Sequence, residues 1–217
     1  MSAPVVDSLK RCRLYAILDL AYVEVAKVEH VTAELIRGGA DLIQLRAKKQ
    51  TLAEIRRLAG KMHGLTSKAG VPLIVNDHPE IARDVPAEGL HLGQDDLSIA
   101  AARRVVRQDC WIGKSTHNVV QAIAAQDEGA DYIGFGPLFA TPTKPDYAPI
   151  GTTEIGRVHE KVRVPIFCIG GIKLANLPDV LAAGAKRVVI VSGLLQSPDI
   201  AAVTQSAKQL LTKNQDA

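Results

Sequence analysis

A chain of 217 residues, 47% of them hydrophobic, carries enough apolar material for one well-buried core and falls within the range of single-domain α/β barrels. Its formal charge of +3 is mild, and three Phe, four Tyr and one Trp supply no stacking platform, so nucleic acid is excluded as a partner and small anionic ligands are favoured. No run of about 18 apolar residues is present, and the opening MSAPVVDSLKRCR lacks the apolar stretch of a signal peptide, which predicts a cytoplasmic protein with no membrane contact.

Residues 1–12 read as an N-terminal extension and 13–213 as one catalytic domain. Eight short β-rich runs follow one another: RLYAILD, DLIQLR, PLIVN, GLHLG, WIGKST, YIGFG, PIFCIG and RVVIVS, each followed by a helical spacing or a short connection. Several units enter the strand directly from a glycine turn, as in RGGADLIQLR, SKAGVPLIVN, EGADYIGFG and AGAKRVVIV, where glycine at a helix C′ position turns the chain back. Near-continuous apolar strands alternating with helices indicate a parallel sheet covered on its outer side, and eight units in about 200 residues favour closure into a (β/α)8 TIM barrel. The alternative is a doubly wound open sheet; against it, LDLAYVEV stands after the first strand where a G-x-G-x-x-G would be expected. Cys12, Cys110 and Cys168 are odd in number and far apart, which encodes neither a disulfide framework nor a zinc site.

In such a barrel the chemistry sits at the C-terminal ends of the strands, and polar residues recur there. In the second unit Gln44, Arg46 and Lys48 alternate with Leu45 and Ala47, so an extended run to Lys48 places three donors on one face as an anion cradle. Asn76 and Asp77 follow the third strand, and Gln94, Asp95 and Asp96 the fourth. Asp77 with Asp95 or Asp96 suffices for Mg2+, which takes one or two carboxylates and fills its other positions with water and phosphate oxygens; the alternative is that each aspartate caps the helix after it. Ser115 offers a hydroxyl to a phosphate, Asn118 caps the next helix, and His117 is either an acid–base group or a structural histidine. The segment PLFATPTKPDYAPIG holds four of the eleven prolines and reads as a stiffened flap carrying Thr141, Thr143 and Lys144. Gly170-Gly171 and Val191-Ser192-Gly193 lie after the last two strands, where barrels build phosphate sites from backbone N–H groups.

In this order, Gln44-Leu45-Arg46-Ala47-Lys48, Asn76-Asp77, His91 to Asp96, Gly113 to His117, Gly136-Pro137, Thr141 to Lys144 and Gly170-Gly171-Ile172 resemble the thiamine-phosphate synthases, from Tyr15 to the last strand. The resemblance implies joining of a hydroxymethylpyrimidine diphosphate to a thiazole phosphate with loss of diphosphate. It implies that Gln44, Arg46, Lys48, Asn76, Ser115 and Lys144 hold the pyrimidine diphosphate, with Arg46, Lys48, Ser115 and Lys144 acting catalytically. Asp77 and Asp96 would ligate Mg2+, with Asp95 in reserve, and Thr141, Thr143, Gly171, Val191 and Ser192 would surround the thiazole phosphate. Ala140 and Lys173 depart from the family's usual proline and small polar residue. The partners implied are phosphorylated small molecules, and the chain is compatible with a homo-oligomer. A thiazole tautomerase of the same superfamily and a non-catalytic sensor of thiamine precursors are the alternative readings.

Overall fold

The computed structural model describes residues 9–141 and 148–213. Eight parallel strands close in sequence order into a barrel, β1 through β8, so the open-sheet alternative falls away. They are β1 (Leu14–Asp19), β2 (Leu42–Arg46), β3 (Leu73–Asn76), β4 (Gly89–Leu92), β5 (Trp111–Thr116), β6 (Tyr132–Phe135), β7 (Ile166–Cys168) and β8 (Val188–Ile190). Around them run α1 (Val28–Arg37), α2 (Leu52–Ala69), α3 (Pro79–Asp84), α4 (Ile99–Arg103), α5 (Val119–Asp127), α6 (Ile155–Lys161), α7 (Leu177–Ala182), α8 (Ser192–Leu195) and α9 (Ile200–Lys213). No described helix is long and apolar enough to cross a membrane.

Because side chains alternate across a strand, the sheet feeds two cores. The larger lies between barrel and helices and is built from residues such as Leu14, Ile43, Val75, Ile112 and Ile133. The smaller fills the barrel with Tyr15, Leu42, Ile74, Trp111, Tyr132, Phe167 and Val189. Phe167 meets the rings of Tyr15 and Tyr132 edge-on, at centroid separations of 5.4 and 5.7 Å. Gly113 makes this interior possible, because a Cβ there would come 2.1 Å from the Tyr132 ring. Leu9 and Cys12, within the stretch read as an extension, are buried in the same inner cluster.

The glycine turns enter the strands as their spacing predicts. Gly70 closes α2 at φ 68°, with its N–H on the Ser67 and Thr66 carbonyls, and Thr51 caps the other end by accepting from Glu54 N. Acidic side chains at the entry to the barrel satisfy strand N–H groups. Asp41 accepts from Arg13 and Leu14, Glu88 from Leu73 and Asp131 from Ile112, at 2.7–2.9 Å. These fix the N-terminal end of the barrel and leave its opposite rim to chemistry.

Candidate active site

At the C-terminal ends of β1 and β2, Arg46 Nη1 donates to Asp19 Oδ2 at 2.6 Å. The Asp19 side chain is 2% exposed and its Oδ1 also accepts from Ala21 N, so the guanidinium is held in one orientation. Gln44, fully buried, points into the barrel and donates from Nε2 to the Tyr15 hydroxyl at 2.5 Å. Lys48 does not extend this face as expected: β2 ends at Arg46 and the chain turns at 48–50, so Lys48 reaches the site from a loop and pairs with Asp77.

The helix-capping alternative for the two aspartates is overturned. Ser98 caps α4 by accepting from Ala101 N, and the residue at the start of α3 is His78, which makes no side-chain cap. Asp77 instead sits at φ 65°, a left-handed conformation uncommon outside glycine, which aspartate and asparagine adopt more readily than most other residues. Asp96 folds back to accept from Gly93 N at 2.5 Å. The two carboxyls are close enough to shift each other's protonation. Burial pushes Asp77 above its ordinary 3.8, Lys48 opposes that rise and Asp96 adds to it. Burial also opposes the charge of Asp96, yet Gly93 N–H, the Asp77 carboxyl and the ammonium groups of Lys48 and Lys114 hold it below 3.8. Two carboxyls brought this near to one another are a donor set that a divalent cation can occupy. Among the described residues no third acidic, histidine or cysteine ligand joins them, so further oxygens would have to come from water or a ligand. Asp95 is exposed on the same loop.

Behind this rim runs a buried polar chain that the sequence reading did not single out. From Gln44 it passes through the Tyr15 and Tyr132 hydroxyls, 3.2 Å apart, to His91 Nδ1 at 3.2 Å. His91 Nε2 then lies 3.0 Å from Ser115 Oγ. Burial pushes both phenols up, so they remain neutral hydrogen-bonding groups. The signal available in sequence was alternation: Trp111, Gly113 and Ser115 share the inner face of β5, and His91 shares that of β4. Gln94 Nε2 also donates to the Ser115 carbonyl, tying the β4 loop to β5.

A single cavity joins many of these groups to the other end of the site, while Lys48, Asp77 and Asp96 are not among its lining residues. Gln44, Arg46, Asn76, Ser115, Thr141, Gly171, Val191 and Ser192 all line it, with His91 and His117. Asn118 caps α5 as expected, accepting from Gln121 N. His117 Nδ1 donates to the Gly136 carbonyl at 2.5 Å, a structural bond that leaves the ring against the cavity. The start of the flap is pinned to the residues after β7, where Leu138 N and Phe139 N donate to Ile169 and Gly170, and Ile150 N returns to Pro137. Gly171 has φ 66°, and a Cβ there would lie 2.7 Å from Phe139 Cβ. Asn176 Nδ2 donates to the Gly171 carbonyl and its Oδ1 accepts from Lys173 N, so the departure at Lys173 keeps a fixed turn while its side chain is exposed. Ala140 is exposed on the flap. Thr143 and Lys144 lie outside the described residues.

The family model described as thiamine monophosphate synthase matches residues 14–194. A thiamine-phosphate synthase of Halalkalibacterium halodurans is 42% identical over 189 residues, covering 87% of this chain and 90% of that protein. Another, from Chloroflexus aurantiacus, is 40% identical over 205 residues and covers 94% of each. The solved thiamine phosphate pyrophosphorylase from Pyrococcus furiosus superimposes with a TM-score of 0.85 at 28% identity, covering 96% of this chain and 98% of that one. This chain therefore belongs to the thiamine monophosphate synthase family.

Proposed function

We propose that the chain is a thiamine-phosphate synthase, a transferase that condenses 4-amino-2-methyl-5-hydroxymethylpyrimidine diphosphate with 4-methyl-5-(2-phosphoethyl)thiazole, giving thiamine phosphate and diphosphate. The observation that carries this reading is one cavity with two different anion ends. At one end stand Arg46, Ser115 and Asn76, the last followed in the chain by Asp77, which is itself outside the cavity lining; at the other are the small-residue loops at Gly171 and Val191–Ser192.

Asp77 and Asp96 would hold Mg2+ beside the diphosphate, where the cation neutralises phosphate oxygens when bound. Arg46, oriented by Asp19, offers the diphosphate a guanidinium of fixed direction. Ser115 presents a hydroxyl positioned by His91, and Lys48 and Lys144 add ammonium charge from the loops. Departure of diphosphate from the pyrimidine's methylene carbon leaves a cation stabilised by the aminopyrimidine, and the thiazole nitrogen attacks that carbon. Thr141 and Thr143 would face the thiazole phosphate, and water that would otherwise trap the cation must be kept from the site. No side-chain nucleophile is required. The substrates are phosphorylated small molecules, the compartment proposed is the cytoplasm, and self-association is compatible with the fold.

A thiazole tautomerase would depend on an acid–base residue such as His117 and has no use for the Asp77–Asp96 pair. Diphosphate release by the purified protein, given each substrate alone and both together, with and without magnesium, separates the readings. The synthase requires both substrates and magnesium. Activity on the thiazole alone that survives Asp77→Asn would support the tautomerase.

A further inference from the structure

Two residues that line the cavity from different strands, Gln44 on β2 and Ser115 on β5, are joined inside the barrel by hydrogen bonds through Tyr15, Tyr132 and His91. Neither tyrosine lines the cavity, and the reaction outlined above uses neither. The chain has a direction. The Gln44 amide nitrogen can only donate, so the Tyr15 oxygen accepts and its single proton turns to the Tyr132 oxygen. Burial keeps both phenols protonated, and the Tyr132 proton in turn goes to His91 Nδ1. A neutral imidazole that accepts at Nδ1 carries its proton on Nε2 and donates it to Ser115 Oγ, 3.0 Å away. The serine oxygen is thereby an acceptor toward His91, and its own proton is left for the cavity. Reversal would point the Tyr15 proton at the Gln44 amide N–H and leave it buried without an acceptor. The rings have no room to swing: both are fully buried, and each packs edge-on against Phe167.

Building on the synthase reading, we infer that Tyr132 is a positioning residue: through His91 it holds the Ser115 hydroxyl as a hydrogen-bond donor to the departing diphosphate. A donor set in advance stabilises the charge that gathers on the leaving group as the C–O bond breaks, without reorganising at that moment. The same order denies Ser115 a base, because the Nε2 facing it is already protonated. The hydroxyl is thus kept from attacking the pyrimidine's methylene carbon in place of the thiazole nitrogen. A tyrosine outside the cavity lining sets the character of a serine within it.

The test reads the His91 ring directly, by proton–nitrogen NMR across two bonds on the full-length protein at about pH 8, above the ordinary imidazole pKa of about 6.5. The spectrum of His91→Asn identifies its signals among the six histidines. The wild type should show an unprotonated Nδ1 and a protonated Nε2. Tyr132→Phe removes only the hydroxyl; it should give a mixture of both tautomers and lower kcat about tenfold, with KM for the pyrimidine diphosphate within about twofold of wild type. Tyr15→Phe, which frees the Tyr132 proton to turn, should shift both readings the same way by less, and serves in its place should the first variant fail to fold. Trp111→Phe, a packing change in the same inner cluster, should alter neither. A wild type with its proton on Nδ1, or a Tyr132→Phe variant that keeps either the single tautomer or the full kcat, overturns the inference. A wild type with the expected tautomer that forms no thiamine phosphate overturns the synthase reading and the role given to Ser115, while the direction of the chain stands.

Discussion

Arg46 and Asp19 meet at 2.6 Å across the first two strands, and the aspartate is the more deeply buried of the two. Arg46 on its own looks like an unpaired anion ligand, whereas the structure makes it half of a prepared pair that aims one edge of the guanidinium at the cavity. Removing Asp19 leaves a largely buried charge without its partner, which costs far more than an exposed ion pair would. Asp19→Ala should lower stability by about 3 kcal/mol in urea denaturation and raise KM for the pyrimidine diphosphate. Asp19→Asn, which keeps the bond to Ala21 N in reach, should cost less.

The Asp77–Asp96 pair gives a prediction with a definite sign in pH. The folded pKa of Asp77 is raised, so the protonated form contributes stability that is fully present below its ordinary value of 3.8 and is lost as pH rises through the folded pKa. Asp77→Asn imitates the protonated state and tolerates the φ of 65°. It should therefore abolish magnesium-dependent activity while raising thermal stability at neutral pH, by roughly 1 kcal/mol at most. Below pH 3.8 that gain should vanish. Melting curves of both proteins across this range check the sign; an Asn variant less stable than the wild type at neutral pH would mean that Lys48 outweighs the burial penalty.

Ser115 is the end of the buried chain that begins at Gln44. Ser115→Ala removes one hydroxyl from the diphosphate end and strips His91 of one partner without opening the core. Steady-state kinetics should show kcat reduced by about 100-fold with the melting temperature little changed. A fall in KM-linked terms alone would place Ser115 in ground-state binding instead.

At the opposite end, Gly171→Ala demands both a positive φ and a Cβ 2.7 Å from Phe139 Cβ. The loop must shift, so KM for the thiazole phosphate should rise by about tenfold while KM for the pyrimidine diphosphate stays close to wild type. Equal losses for both substrates would show that the two ends of the cavity are not separable.

All eight strands were legible because each is a short apolar run, four of them entered from a glycine turn, and most of the cavity's polar lining was legible because it falls at strand ends. Lys48 was misplaced, since a period of two says nothing about where a strand stops. The capping alternative arose because Asp77 and Asp96 stand two and three positions ahead of a helix, and only backbone geometry shows that Ser98 performs that role for α4. Asp19 and His91 were passed over for a different reason: each works through a partner on another strand, and such pairings follow from barrel closure, which local sequence does not encode.

The central claim is that this one cavity joins two phosphorylated substrates, and single-turnover mixing tests it most directly. Stoichiometric protein, both substrates and magnesium are combined, quenched at intervals and resolved by chromatography. The account predicts thiamine phosphate and diphosphate appearing together in equal amounts, up to one equivalent of protein, with neither formed when one substrate is withheld. Recovery of both substrates unchanged from a protein that demonstrably binds them would contradict it and identify a sensor of thiamine precursors.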